Sequence, residues 1–498
     1  MAETPELGEM NLDDFRQYGH EIVDWIADYL ARPEQYPVLS RVRPGEIAAR
    51  LPLRPPEEGE PMVDILADFE KIILPGITHW NHPGFHAYFS VSGSAPGILG
   101  EMLIAALNVN AMLWRTSPSA TELEEVSLEW LRTMLGMDEG WHGVITDGAS
   151  ASSLLAIAAA REALDLDIHQ KGMAGRSDLP RLRLYISDQT HSSVEKGAIT
   201  LGIGQEGVRT IPTDDDFRLD PQALAQAIEE DLAAGWRPFF VTATVGTTAT
   251  TSVDPVPEMA AICRQYGLWL HVDGAYGGAA AVAPEMRHVL DGLELADSFV
   301  MNPHKWLFTP IDCSAFYVRR PEILQQAFSL VPEYLKTAEE GVTNYMDWGV
   351  QLGRRFRALK LWMVIRAFGR QGIAARLREH ICLGQQLAAW IDAAPDFERL
   401  APTPFSVVCF RLAPREIAAR LALAGPEEAR ALEEELDRLN MALVEAMNDT
   451  GQVFLAPTRL RGRLTIRLAI GNIRTDEAHV RRVWALLEEK AERLTAAG

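Results

Sequence analysis

The chain reads as an α/β protein. It has a mainly parallel sheet with helices on both faces, preceded by a helical arm and followed by a smaller α+β region. Three observations predict this. Short apolar runs alternate with helical patterns through the middle of the chain, which favours parallel strands joined by crossover helices. The first 85 residues hold one amphipathic helical pattern and then a proline-rich stretch. From residue 376 onward, two strand patterns flank a long helix. The expected divisions are 1–85 (a helical arm for dimerisation), 86–375 (a large ligand-binding region) and 376–498 (a small C-terminal region).

In the arm, Asn11 can cap a helix, with Asp14 three residues on. Phe15, Tyr18, Ile22, Trp25, Ile26 and Tyr29 then recur at helical spacing. A face of that kind must be buried against something, and an arm of this form suits the embrace of a second subunit. Pro44, Pro52, Pro55, Pro56 and Pro61 mark the extended stretch that follows. Strand candidates in the middle are Gly143–Thr146, Leu182–Ile186, Phe239–Thr244, Leu268–Val272 and Ser298–Met301. Helices are expected over Leu154–Leu164, over Pro221–Ala234 with its start at Asp220, and over Val256–Tyr266. The last region offers strands at Phe405–Arg411 and Leu464–Ile470 and a helix at Pro426–Asn448.

Of the 498 residues 47% are hydrophobic and 23% charged, and the net charge is −22. The first two values are ordinary for a soluble protein. The third argues against nucleic acid or an anionic membrane as partner, because phosphates would be repelled. No run reaches the roughly 18–20 apolar residues of a membrane span. Residues 1–10 are acidic, unlike a secretory leader. Cys263, Cys313, Cys382 and Cys409 are scattered. They suit a reducing cytoplasm and form neither a disulfide framework nor a cysteine-built zinc site. His79, His82 and His86 imitate a metal motif, but Pro83 and Gly84 break any helix that would put them on one face. No metal is expected.

Three features at predicted strand ends carry chemistry. Asp147-Gly-Ala-Ser-Ala-Ser-Ser153 precedes a helix. Its small residues let backbone N–H groups approach an anion, although plain capping gives the same pattern. Asp273 ends a strand before Gly-Ala-Tyr-Gly-Gly278. It could hold a heteroaromatic nitrogen protonated, or cap the next turn. Asn302-Pro-His-Lys-Trp306 wedges Lys305 between His304 and Trp306. Desolvation there would free its amine for a Schiff base, where most lysines are surface cations. Together the three describe a pyridoxal phosphate site: phosphate on the Ala149–Ser150 turn, ring nitrogen on Asp273 and aldehyde on Lys305.

The sequence resembles the group II pyridoxal-phosphate decarboxylases, in particular the aromatic L-amino acid decarboxylases. The matching segments are Phe85-His-Ala-Tyr-Phe89, Ser117-Pro-Ser-Ala-Thr-Glu122, Ser187-Asp-Gln-Thr-His-Ser-Ser193, Ala243-Thr-Val-Gly-Thr-Thr248, His271-Val-Asp-Gly-Ala-Tyr276, Asn302-Pro-His-Lys-Trp306 and Leu352-Gly-Arg-Arg-Phe356. The resemblance implies a fold-type-I enzyme with a seven-stranded sheet, acting as a cytoplasmic homodimer that decarboxylates an aromatic L-amino acid. It implies that Lys305 carries the cofactor, Asp273 pairs with its ring nitrogen, His191 stacks on the ring and meets the substrate carboxylate, and Thr248 contacts the ring hydroxyl. Ala149, Ser150, Asn302 and His304 would hold the phosphate, helped by Gly353 and Arg354 of a second subunit.

Residues 331–345 lack an apolar period and suit a lid. The resemblance makes its Tyr334 the proton donor after carbon dioxide leaves; members with phenylalanine there are aldehyde synthases. Trp80, Tyr88, Phe89, Val91 and Met112 are the expected substrate pocket. Animal relatives carry Pro-Thr where this chain has Ser90-Val91, and Phe where it has Met112, so recognition of ring hydroxyls is an open question. Other outcomes on the same cofactor are aldehyde formation, transamination or a non-aromatic substrate. A silent cofactor-binding scaffold is a further alternative, opposed by the intact catalytic positions.

Overall fold

The computed structural model describes residues 9–330 and 341–497. Seven strands form the main sheet: β1 (His142–Thr146), β2 (Arg181–Ser187), β3 (Val208–Ile211), β4 (Trp236–Thr244), β5 (Trp269–Asp273), β6 (Ser298–Met301) and β7 (Ser314–Val318). Their order across the sheet is β1-β7-β6-β5-β4-β2-β3. β7 runs antiparallel to both neighbours, and the pairings among β2 to β6 are parallel. Six strands therefore share one direction, and their carboxyl ends lie along one edge, where open α/β sheets bind ligands.

The period-2 alternation of strand side chains fills both faces. Phe299, Met301, Ala315 and Tyr317 enter one apolar core, while Val300, Phe316 and Val318 enter the other with Leu155, Ala156 and Ala159. The five anticipated strands form, each within a few residues of its expected bounds. β3 and β7 were not anticipated: β3 is four residues long, and β7 follows β6 after only a short turn-and-helix segment.

Local chemistry sets the helix starts. Asn11 caps Leu12–Ala31 by accepting the Asp13 N–H, and Asp220 caps Pro221–Ala233 by accepting from Gln222 and Ala223. Helix Ala149–Glu162 begins five residues before the expected Leu154. Gly246, at φ +88°, lets the turn after β4 press on the turn after β5. A Cβ there would lie 2.8 Å from the Gly277 nitrogen.

A second, antiparallel sheet has the order β10-β11-β9-β8, with β8 (Phe397–Arg399), β9 (Val407–Leu412), β10 (Ala456–Leu460) and β11 (Arg463–Ala469). Residue 376 falls inside helix Ala358–Ala393, whose backbone breaks at Gly369 with φ 62°. The arm is tied to the second sheet's region: Phe85 bridges Phe454, and His86 donates its backbone N–H to the Phe454 carbonyl. The three histidines of the metal-like motif are buried. His79 Nδ1 bonds the Tyr29 hydroxyl, His82 Nδ1 accepts from Gly84, and His86 Nδ1 bonds the Ala469 carbonyl.

Candidate active site

The carboxyl edge of the main sheet holds a cavity of about 310 Å³. Its walls come from the turns after β1, β2, β4, β5 and β6. They bring together Ala149, Ser150, His191, Thr248, Asp273, Asn302, His304 and Lys305, with Phe89 from the segment that follows the arm. Seven further wall residues complete it. Asp147, Gly148, Thr244, Gly246, Ala275 and Tyr276 lie inside the strand-end motifs read from sequence, without a role assigned there, and Ile311, just before β7, was not singled out.

Ala149 and Ser150 open a helix, so their N–H groups have no intrahelical acceptor. Asn302 stands at the N-cap of Pro303–Trp306 but makes no capping bond, and its buried Oδ1 has no partner among the described residues. His304 Nδ1 accepts the Cys313 N–H at 3.0 Å. Burial lowers the pKa of His304 to about 4, with the Lys305 charge acting in the same direction. The ring is therefore neutral at pH 7, and its Nε2 carries the proton.

Asp273 is 5% exposed and ends β5. One oxygen accepts the Ala275 N–H at 3.0 Å. The other makes no hydrogen bond among the described residues. His191 stands exposed at the cavity mouth, and its Nδ1 accepts from the Ser193 N–H at 3.2 Å. The surrounding protein lowers its pKa, against the pull of Asp273. Lys305 Nζ lies 5.1 Å from the centre of the Phe89 ring and has no hydrogen-bond or ion-pair partner among the described residues. Burial lowers its pKa, Asp273 opposes that, and Arg467 adds to it. Behind the site the rings stack in series: Phe89 on Tyr276 at 3.9 Å, and Tyr276 on Trp306 at 4.5 Å.

Four expected pocket residues do not line this cavity within the chain. Trp80 stacks on Phe85 and Tyr88, and all three rings lie near one another at the end of the arm. Val91 is partly buried outside the cavity. Met112 packs with Leu113 and Met346. Gly353 and Arg354 line a separate cleft beside Asn108 and Asn110. The Arg354 guanidinium is occupied inside its own chain: it pairs with Glu124 at 2.6 Å and donates to the Ile145 and Ala111 carbonyls. Its side chain is thus an internal brace, not a free phosphate ligand. Tyr334 lies outside the described residues.

The site offers a free amine, a carboxylate with an open oxygen, an unpartnered carboxamide, an imidazole donor and a helix start. This donor set fits pyridoxal phosphate, which needs an amine for its aldehyde, an anion for its ring nitrogen and several donors for its phosphate. The fold and site define an enzyme that tethers a carbonyl cofactor to a lysine.

Comparison with known proteins narrows the class. The pyridoxal-dependent decarboxylase conserved domain matches residues 44–413. The chain is 41% identical to the aromatic-L-amino-acid decarboxylase of Sus scrofa and 40% identical to the phenylacetaldehyde synthase of Arabidopsis thaliana. Each match covers 98% of both chains. Among solved structures it matches Catharanthus roseus tryptophan decarboxylase in complex with L-tryptophan, at 37% identity and TM-score 0.89, over 98% of this chain and all of the other. This chain belongs to the pyridoxal-dependent decarboxylase family. It is a pyridoxal phosphate-dependent carboxy-lyase of fold type I.

Proposed function

We propose that the enzyme decarboxylates an aromatic L-amino acid to its amine. The observation that carries this reading is Phe89: an aromatic wall in the cavity, 5.1 Å from the Lys305 nitrogen and backed by Tyr276. The relatives named for aromatic amino acids support it. Trp80 and Tyr88, partly exposed on the same segment, extend the aromatic surface.

Bound pyridoxal phosphate supplies an electron sink for the pair released at the substrate Cα. The chain's residues do the rest. Lys305 would hold the cofactor through its aldehyde carbon, and Asp273 would keep its ring nitrogen protonated. The first-turn N–H groups of Ala149 and Ser150, with Asn302 and the Nε2–H of His304, would hold the phosphate, and Thr248 would meet the ring hydroxyl. His191 would lie against the cofactor and orient the substrate carboxylate for departure. Tyr334 delivers the proton to Cα once carbon dioxide has left. Its presence favours amine over aldehyde, although one relative is an aldehyde synthase.

The working unit is a homodimer. Support comes from apolar side chains left exposed on two helices: Leu12, Phe15, Ile22 and Val23 on Leu12–Ala31, and Leu99, Met102, Leu103 and Leu107 on Ala95–Leu107. Residues 1–85 form the embracing arm, and Gly353 reaches the second subunit's phosphate. Among the described residues no helix is long and apolar enough to cross a membrane. The four free cysteines support the reading of a reducing, cytoplasmic setting.

The test is amine and carbon dioxide release by the holoenzyme from L-phenylalanine, L-tyrosine, L-tryptophan and their hydroxylated forms, with L-glutamate and L-aspartate as non-aromatic controls. The highest kcat/KM is expected on an aromatic substrate. Preference for an acidic substrate would overturn the reading. Sedimentation of the same sample should give twice the monomer mass.

A further inference from the structure

Arg467 lies on β11, in the sheet remote from the strand-end residues, yet it reaches the active site. It is 6% exposed. Its Nε donates to the carbonyls of Thr248 at 3.0 Å and Ala249 at 3.2 Å, and its Nη1 donates to the Ala87 carbonyl at 3.1 Å. Its guanidinium carbon lies 4.6 Å from the centre of the Phe89 ring. The Lys305 nitrogen is 5.1 Å from the same ring centre. Nη2 is buried with no partner, and no carboxylate pairs with the guanidinium among the described residues.

Burying an unpaired charge costs several kcal/mol. A neutral side chain would fill the space without that cost, so the charge and its fork call for a reason. The three carbonyls belong to two segments that line or border the cavity, Ala87–Phe89 and Thr248–Ala249. The fork joins both to the second sheet. Hydrogen-bond geometry this specific is available to arginine and not to lysine.

We propose that Arg467 is a positioning residue for the reaction: its guanidinium fixes the Phe89 and Thr248 walls of the cavity and sets a permanent positive charge beside Lys305. The charged and titratable groups around Lys305 are Asp273 at the end of β5, His191 after β2, His304 next in the chain, and Arg467. Tyr276 and Cys409 face Arg467 itself. Asp273 favours a proton on the lysine nitrogen and Arg467 disfavours it. The positioning role needs the fork, the electrostatic role needs only the buried charge, and neither needs a particular substrate. The inference rests on the cofactor and not on the aromatic reading.

Bound cofactor absorbs visible light, and that absorbance reports the protonation of the nitrogen it shares with Lys305. The experiment titrates the absorbance of wild-type, Arg467→Met and Arg467→Lys holoenzymes and measures kcat and KM for each. Loss of the positive charge should raise the midpoint of Arg467→Met by at least about half a pH unit. Misplaced walls should cut its kcat at least about tenfold while KM moves less than about threefold. Arg467→Lys keeps the charge but not the fork, so its midpoint should stay within about 0.2 unit while its kcat remains depressed. An unmoved midpoint in Arg467→Met overturns the proposal whatever happens to the rate, because a merely structural residue would give that result. If Arg467→Met does not fold, Arg467→Gln, which loses the charge but can still donate to a carbonyl, decides by the same reading: a raised midpoint supports the proposal, and an unmoved midpoint overturns it.

Discussion

Cys313 donates its backbone N–H to Nδ1 of His304 at 3.0 Å, while the His304 N–H returns a bond to the Cys313 carbonyl at 3.2 Å. This reciprocal pair links the start of the Lys305 helix to the residue just before β7. It also leaves Nε2 as the proton-bearing nitrogen. β7 was not foreseen from sequence, but it anchors the partner that sets the tautomer.

Replacing His304 by phenylalanine should weaken cofactor binding by about tenfold or more, the order of one lost charge-assisted donor. Because burial holds the ring neutral down to about pH 4, wild-type cofactor affinity should show no step from this residue between pH 5 and 8. Fluorescence titration of apoenzyme with cofactor across that range measures both.

Lys305→Ala should abolish turnover and leave the fold intact, because the side chain makes no hydrogen bond or ion pair among the described residues that folding would miss. Far-ultraviolet circular dichroism should match wild type. A borohydride-trapped cofactor adduct on the variant would contradict the assignment.

Asp273→Asn removes the carboxylate charge proposed to face the cofactor's ring nitrogen while keeping the Ala275 bond available. Activity should fall by about 10²-fold or more, as for other preorganised electrostatic groups. Near-normal kcat in saturating cofactor would show that the carboxylate has another use.

Arg354→Met should cost stability more than catalysis. It leaves Glu124 buried without its partner, and breaking such a pair costs about 3–5 kcal/mol. Urea unfolding should show the loss, while kcat of the folded fraction stays within about threefold of wild type.

Acid should destabilise the fold early. Burial lowers the pKa of His82, His86, His271 and His304 to about 4 and that of His380 to about 3. In the unfolded chain they would titrate near 6.5. Between these values the unfolded state binds more protons, so stability is lost as pH falls from about 6.5 toward 4. Asp254, raised to about 7 by burial, works in the opposite sense below that pH, as do Asp297 and Asp347, also raised by burial, but the five histidines outnumber them. Net uptake of two or more protons makes stability fall by roughly 3 kcal/mol per pH unit near pH 5. Denaturation at pH 7, 6 and 5 reads the slope.

The site was legible in the sequence because its parts are strand-end motifs. Asp147–Ser153, Asp273–Gly278 and Asn302–Trp306 each follow an apolar run, and a parallel sheet must bring such ends to one edge. Helices Val256–Tyr266 and Pro426–Asn448 were also fixed locally, by period and by proline near the start. Local chemistry reaches only a few residues, and these features need no more.

Only the tertiary structure decided the rest. It placed β7 between β1 and β6, which carries the Asp147–Ser153 turn to the same edge as Lys305. It spent the Arg354 guanidinium on Glu124, and it kept Trp80, Val91 and Met112 off the cavity wall within the chain. It also brought Arg467 of β11 under Phe89, 378 residues away in sequence. No window of sequence contains such pairs. They are set by which surfaces distant elements bury against one another, and that is a property of packing across the whole chain.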